Sequence, residues 1–343
     1  MRKNILVTGG AGFIGHHFIR HILDNTDYNI LSLDRLDYSG NLNRVFEIAD
    51  SLDKTEKKRI KVIYHDLKAP INSQLEFSLG DIHYIVHMAA GSHVDRSIQY
   101  PLDFVMDNVV GTANILDFAR KCPNLERFIY FSTDEVFGPA PEGILYKEND
   151  RYNSTNPYSA SKAGGEELVV AYENTYNIPC YITHTMNVFG ERQHPEKYIP
   201  MCIKKIRDDE TVFVHANKEK TRAGSRHYIH AADVSDAVHF LMRYDSSKLE
   251  TSDYGGAKCH KFNVVGSEEV DNLSLAKYIA DIQNKSLNYE LIDFHSSRPG
   301  HDLRYALDGS KMRNMGWNPR SLKSRLESTV NWTLENKRWL FGN

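Results

Sequence analysis

A short apolar run, Ile5-Leu6-Val7, leads straight into Gly9-Gly10-Ala11-Gly12-Phe13-Ile14-Gly15, and the residues that follow take up helical period. Glycines in GxxGxxG spacing between a strand and a helix confine the chain to few folds, because the turn needs residues without a Cβ and the helix opens on unpaired N–H groups. Such a turn lets backbone approach a pyrophosphate, whose charge then sits at the helix N-terminus. Asp34 ends the next apolar run about 20 residues on, where a carboxylate accepts hydrogen bonds from an adenosine ribose. That favours NAD over NADP, although Arg35 stands beside it. The expected cofactor contacts in this half are Gly9, Gly12, Phe13, Ile14, Gly15, Asp34, Arg35, Asp37 and Ser39.

The same alternation of short apolar runs and helical stretches continues, which is the pattern of βαβ units feeding a parallel sheet. Strands are predicted over 4–8, 29–34, 60–65, 83–88, 126–132 and 180–186, and helices over 13–24, 42–57, 101–121 and 157–176. After Gly190 the regularity fails: a Pro-containing segment, a helix, a strand near 211–215 and a polar loop from Lys218 to Arg226 follow. Residues 233–244 return to helical period, while 270–343 mix short helices with one strand and the turn Arg298-Pro299-Gly300. The expected fold class is α/β, a Rossmann-type doubly wound parallel sheet with a smaller, discontinuous α/β substrate domain. Residues 1–188 and 227–264 would form the NAD-binding domain, and 189–226 with 265–343 the substrate domain.

Composition narrows the function. With 41% hydrophobic and 25% charged residues the 343-residue chain is ordinary globular material, and a net charge of −3 with both signs interspersed offers no footprint for nucleic acid or anionic lipid. No window holds about 18 uninterrupted apolar residues, and Met1-Arg2-Lys3-Asn4 leaves no room for a signal peptide, which predicts a cytoplasmic protein. Cys122, Cys180, Cys202 and Cys259 are scattered without a CxxC pair, and the 16 histidines form no HxH pair, so no metal site is expected.

Pro157-Tyr158-Ser159-Ala160-Ser161-Lys162 places Tyr and Lys at i and i+4, on one helix face. A phenol is a poor base at neutral pH, but a neighbouring ammonium and a nicotinamide charge favour phenolate. A tyrosine so placed is expected to take the proton from a substrate hydroxyl as hydride leaves the same carbon. Phe131-Ser132-Thr133-Asp134-Glu135-Val136-Phe137-Gly138 ends the fifth strand at the carboxyl edge of the sheet, where doubly wound proteins bind ligands. Two adjacent carboxyls in a closed site share a proton, which yields an acid and a base side by side, the combination that water elimination needs.

These motifs resemble those of the extended short-chain dehydrogenase/reductases, and among them the dTDP-glucose 4,6-dehydratases. The resemblance also runs through HMAAGSHVDRSI from His87, NVVGTANIL from Asn108, HPEKYIP from His194 and RPGHDLRY from Arg298. It implies that Tyr158 and NAD oxidise C4 of a nucleotide-bound hexose, that Lys162 positions the ribose, and that Thr133 binds the sugar. Glu135 would abstract the C5 proton while Asp134 protonates the departing C6 hydroxyl, and the hydride returns to C6 to leave a 4-keto-6-deoxy sugar. It further implies that Asp66 and Leu67 border the adenine, that Ala89 and Ala90 line the cofactor, and that Ser92, Asn187, Lys197, Arg226, Arg298 and His301 hold the nucleotide-sugar. A homodimer joined by a four-helix bundle of the helices near 101–121 and 157–176 is implied as well.

Three departures fall near the sugar and nucleotide: Gly91 where the family usually carries Glu, His184-Thr185-Met186-Asn187-Val188 in place of a segment richer in Asn, and a longer, more basic loop from Lys218 to Ser225. They leave the nucleotide and the C2 substituent of the sugar open. A nucleotide-sugar 4-epimerase or decarboxylase would share NAD, Tyr158 and Lys162 but has no use for the Asp134-Glu135 pair. A non-catalytic NAD-binding protein would retain the fold alone.

Overall fold

The computed structural model describes residues 2–37, 39–249, 259–293 and 303–341. Its main sheet has seven parallel strands. Six are β1 (Asn4–Thr8), β2 (Asn29–Asp34), β3 (Ile60–Tyr64), β4 (Tyr84–His87), β5 (Arg127–Thr133) and β6 (Cys180–Thr185), and the seventh is His260–Val264. The spatial order is His260–Val264, β6, β5, β4, β1, β2, β3, with every neighbouring pair parallel. The order reverses between β1 and β4, so their connections leave to opposite sides and a crevice opens at the carboxyl ends.

Side-chain alternation along each strand feeds two cores. Ile5 and Val7 of β1 pack with Phe18, Ile19 and Ile22 of helix α1 (Phe13–Asn25) and with Val234, Val238 and Leu241 of the Ala231–Arg243 helix. Leu6 faces the other way, joining Ile85, Phe128, Ile115, Leu116 and Val169. A third apolar cluster gathers Ile199, Ile203, Val212, Val214, Leu275, Ile279, Leu326 and Val330 from segments on both sides of the seventh strand. Two short pairings run beside it, Val212–Ala216 parallel to Tyr289–Asp293 and Ser225–His227 antiparallel to Glu269–Asp271.

The structure corrects the expected elements in three places. The stretch 42–57 is two helices, Leu42–Asp50 and Lys54–Lys57, because the Asp53 carboxylate accepts from Thr55 N and Glu56 N and starts the helix afresh. The stretch 101–121 holds a π-helical turn, Met106–Val110, between Pro101–Val105 and Gly111–Ala119. Asn108 in that turn bonds Gly91 N and O and the Ser161 hydroxyl, contacts that draw the extra residue inward. Among the described residues beyond 265 there are two strands rather than one, and the helices Asn272–Ile282 and Leu322–Glu335 are not short. The Arg298-Pro299-Gly300 turn lies outside the described residues. Among the described residues no helix is long and apolar enough to cross a membrane.

Candidate active site

One cavity of about 650 Å³ runs along the carboxyl ends of the strands and takes in every candidate site residue within the described part of the chain. Arg298 and His301 lie outside the described residues.

At one end of the cavity are Gly9, Gly12, Phe13, Ile14 and Gly15. Gly9 has φ +73°, and a Cβ there would stand 2.8 Å from Ala89 N, so the turn tolerates no side chain. Helix α1 opens at Gly12 with no side-chain cap. Asp34 accepts from Ala11 N at 3.0 Å and Leu36 N at 2.8 Å, and burial raises its carboxyl above the usual range. Asp37, Ser39, Asp66, Leu67, Ala89 and Ala90 continue the same wall.

Arg35 is heavily engaged. Its guanidinium donates to Asp107 Oδ2 at 2.8 Å and to Asp37 Oδ2 at 2.9 Å, with Asp66 at 3.8 Å. Its charge is therefore met by carboxylates and is poorly placed to receive a 2′-phosphate. Asp107 also faces Lys68 Nζ at 3.3 Å. Sequence spacing gave no sign of Asp107, because its partner Arg35 lies 72 residues away along the chain.

At the other end, Thr133 closes β5 and caps a 3₁₀ turn, Asp134–Phe137, accepting from Glu135 N at 3.3 Å. Its hydroxyl donates to Asp134 Oδ1 at 3.0 Å and is hydrogen-bonded to Tyr158. Asp134 Oδ2 is buried and has no hydrogen-bond partner among the described residues. Burial raises the Asp134 carboxyl to about 6, against the opposing charge of Arg226. Burial and then the Asp134 charge raise Glu135 to about 7, against Asn156, Arg226 and Lys197. Both carboxyls are thus held above the usual range, and the pair titrates as a unit.

Tyr158 and Lys162 rise from the Pro157–Tyr176 helix, which Asn156 and Ser159 start with a capping box. Burial, then Glu135, push the Tyr158 phenol above its ordinary value, with the Thr133 hydroxyl opposing. The protein groups alone thus do not lower it as expected, because two acidic neighbours and desolvation prevail. Lys162 Nζ donates to the Phe131 carbonyl at 2.6 Å and lies 4.2 Å from the Tyr130 ring centroid. Burial lowers its ammonium to about 7, opposed by Glu166.

Asn156, which no motif had singled out, donates through Nδ2 to Glu135 Oε2 at 3.0 Å. Its place just before Pro157 was the available signal, since that is where a helix cap belongs. Ser92, Asn187, Lys197 and Arg226 line the same end of the cavity. Arg226 is buried over the Tyr305 ring and held by the Ser225 and Leu303 carbonyls at 2.7 and 2.6 Å. It acts electrostatically on both acids as well as facing the cavity.

Comparison with known proteins agrees with this architecture. Residues 6–329 match the family model described as GDP-mannose 4,6 dehydratase. A dTDP-glucose 4,6-dehydratase of Escherichia coli is 34% identical, with 98% of this chain and 94% of the relative covered. The low-salt glycan biosynthesis protein Agl12 of Haloferax volcanii is 36% identical, with 96% and 98% covered. Among solved structures, the dTDP-glucose 4,6-dehydratase DesIV of Streptomyces venezuelae, with NAD and TYD bound, superposes with a TM-score of 0.81 at 32% identity, covering 98% of both chains. A UDP-N-acetylglucosamine 4-epimerase of Methanobrevibacter ruminantium reaches 0.80 at 25% identity, covering 98% of this chain and 99% of that one. With its glycine turn, Tyr158–Lys162 helix and Thr133-Asp134-Glu135 turn on one cavity, the chain belongs to the nucleotide-sugar 4,6-dehydratase family of extended short-chain dehydrogenases/reductases.

Proposed function

We propose that the protein is a lyase that converts an NDP-hexose, of the dTDP- or UDP-glucose kind, to the NDP-4-keto-6-deoxyhexose with NAD retained through the cycle. The observation that carries this reading is the Thr133-Asp134-Glu135 turn facing the cavity beside Tyr158, with both carboxyls raised toward neutrality. An epimerase needs no such pair.

The described residues fit the dinucleotide: Gly9 admits no Cβ, the first turn of α1 has no side-chain cap, and Asp34 lines the cavity at the end of β2. When bound, NAD supplies the acceptor and then the donor of a hydride. Tyr158 takes the C4 hydroxyl proton, assisted by Thr133, and the cation of Lys162 favours the resulting phenolate. The C4 ketone acidifies C5, whose proton passes to one carboxylate of the Asp134–Glu135 pair while the other protonates the C6 hydroxyl as it leaves. The resemblance gives Glu135 the first task and Asp134 the second. Lys197 and Arg226, with Asn187 and Ser92, would hold the diphosphate and sugar. Arg298 and His301 are assigned there by resemblance alone.

The third apolar cluster supports a division into an NAD-binding domain, 1–188 with 227–264, and a nucleotide-sugar domain, 189–226 with 265–343. A homodimer through a four-helix bundle is supported by the exposed apolar side chains of Leu102, Val105 and Met106. We place the protein in the cytoplasm.

The test is to incubate purified protein, with no added cofactor, with dTDP-, UDP-, GDP- and CDP-hexoses in heavy water and follow each by mass spectrometry. Loss of one water with deuterium at C5 supports the reading and names the nucleotide. A new isomer, or loss of carbon dioxide from a uronic acid substrate, replaces it with epimerase or decarboxylase chemistry.

A further inference from the structure

Behind the reacting face lies a buried ionic cluster that the dehydration scheme does not use. Glu166 sits one turn beyond Lys162 on the same helix and is fully buried. One carboxylate oxygen accepts from the Ser132 hydroxyl and the other from the Tyr152 hydroxyl. His184 Nε2 lies 3.2 Å from the second oxygen and Lys261 Nζ 3.7 Å from it. These partners come from β5, from the loop before the helix, from β6 and from the His260–Val264 strand. Ser132 stands between Phe131, whose carbonyl holds Lys162 Nζ, and Thr133. One carboxylate thereby joins the helix carrying Tyr158 and Lys162 to the strand carrying Thr133.

The hydrogen bonds also orient the groups of this cluster. Asn263 donates through Nδ2 to the Tyr146 and Asp308 carbonyls at 2.9 and 3.1 Å, so the oxygen of its amide faces His184 Nδ1 at 3.0 Å. Nδ1 therefore carries a hydrogen. Nε2 faces the Glu166 carboxylate and the Tyr152 oxygen, and the hydrogen of that hydroxyl is already given to Glu166. His184 Nε2 and Lys261 Nζ thus both lie against the Glu166 carboxylate. Burial alone would raise the Glu166 carboxyl, yet His184, Lys261 and the Ser132 hydroxyl hold it at about 2.

We propose that Glu166 is a positioning residue of this reaction: a buried carboxylate, held between Ser132, Tyr152, His184 and Lys261, that locks the helix to β5 and sets the charge facing the Lys162 side chain one turn before it. This deepens the dehydratase reading and rests on it. Lys162 is otherwise faced by the Tyr130 ring and Phe131 carbonyl of β5 and by His87 of β4, which burial keeps neutral with its pKa lowered to about 3. Glu166 is the anion opposing its deprotonation. Removing that charge lowers Lys162 further, so the neutral amine takes over at lower pH.

The test is Glu166→Gln, which keeps the shape of the side chain and its capacity to accept from Ser132. Lysine labelled with ¹³C at Cε gives a resonance for Lys162, identified by its loss in Lys162→Met, and its titration midpoint needs no substrate. The midpoint is expected to fall by about one pH unit in Glu166→Gln and to return in Glu166→Asp. With substrate, kcat should fall about tenfold or more with KM changed less than about twofold, and the basic limb of the kcat profile should move to lower pH. An unchanged Lys162 midpoint and an unchanged basic limb in folded Glu166→Gln overturn the proposal, whatever happens to kcat. If the parent dehydrates no NDP-hexose while the midpoint still moves, the dehydratase reading fails and the electrostatic link stands. Should Glu166→Gln not fold, His184→Gln is read by the same titration. Loss of the imidazole removes a contact that holds the Glu166 carboxyl low and so weakens its charge, and a lowered Lys162 midpoint supports the proposal while an unaltered one overturns it.

Discussion

The side-chain amide of Asn156 donates to Glu135 Oε2 at 3.0 Å, so the residue that starts the Tyr158 helix also holds one acid of the elimination pair. In Asn156→Ala the helix loses its cap, at a cost of about 1 kcal/mol. Glu135 loses a bond that favours its ionised form and rises further above about 7. The acidic limb of the kcat profile is expected to move to higher pH together with a lowered Tm. A lowered Tm with an unmoved limb would leave Asn156 with the cap alone.

Asp134→Asn combined with Glu135→Gln should slow elimination by about 10²–10⁴-fold while C4 oxidation continues, visible as reduced nicotinamide on the enzyme. Tyr158→Phe should suppress both. The double variant should also unfold at a temperature equal to or above that of the parent. Carboxyls raised to about 6 and about 7 by burial stabilise the fold only at acid pH, and that contribution is lost as pH rises through those values. Parental dehydration by the double variant would sink the mechanism.

Gly164 and Gly165 are neighbours with opposite requirements. A Cβ at Gly165 would lie 2.2 Å from the Tyr130 hydroxyl and 2.8 Å from the Asn108 carbonyl, whereas at Gly164 it meets only Val109 Cγ2 at 3.2 Å. Gly165→Ala is expected to destabilise by about 1–3 kcal/mol. Gly164→Ala should lie near neutrality, since a gain of up to about 1 kcal/mol in helix propensity offsets the contact. Urea unfolding of the two variants gives the comparison, and equal effects would refute it.

Acid should weaken the fold well before ordinary carboxylates titrate. Burial lowers His87 to about 3 and His17 to about 4, from an ordinary value of 6.5. Their neutral forms therefore contribute stability that is fully present above pH 6.5 and is lost as pH falls toward those values. Glu166 and Glu191, both held at about 2, add a second loss below about 4.5. The urea midpoint should begin to fall near pH 6.5. A midpoint flat down to pH 5 would contradict the burial of these histidines.

Features set by local spacing were legible in the chain. The six predicted strands are apolar runs ended by polar punctuation, and the glycine turn, the Tyr158–Lys162 spacing and the Thr133-Asp134-Glu135 turn each sit within one element. The seventh strand was harder to see, because His260, Lys261 and Asn263 interrupt its apolar character. Their partners are tertiary: Asn263 bonds Glu148, Tyr146 and Asp308, and Lys261 donates to Tyr152. Asp107 and Glu166 escaped notice for the same reason, since their roles rest on Arg35 and His184, which only the fold brings near. Desolvation and the Glu135 charge, which raise the Tyr158 phenol in the protein alone, are likewise set by the fold and not by the i+4 spacing.

The seventh strand has a consequence for how the protein is made. β6 is flanked by β5 on one side and by His260–Val264 on the other, so its second row of backbone N–H and C=O groups finds partners only after residue 264 has been synthesised. Until then a ribosome-bound chain presents an unpaired strand edge, open to pairing with another nascent copy. Truncations ending before 260 should accordingly aggregate even though they contain the complete glycine turn and catalytic helix.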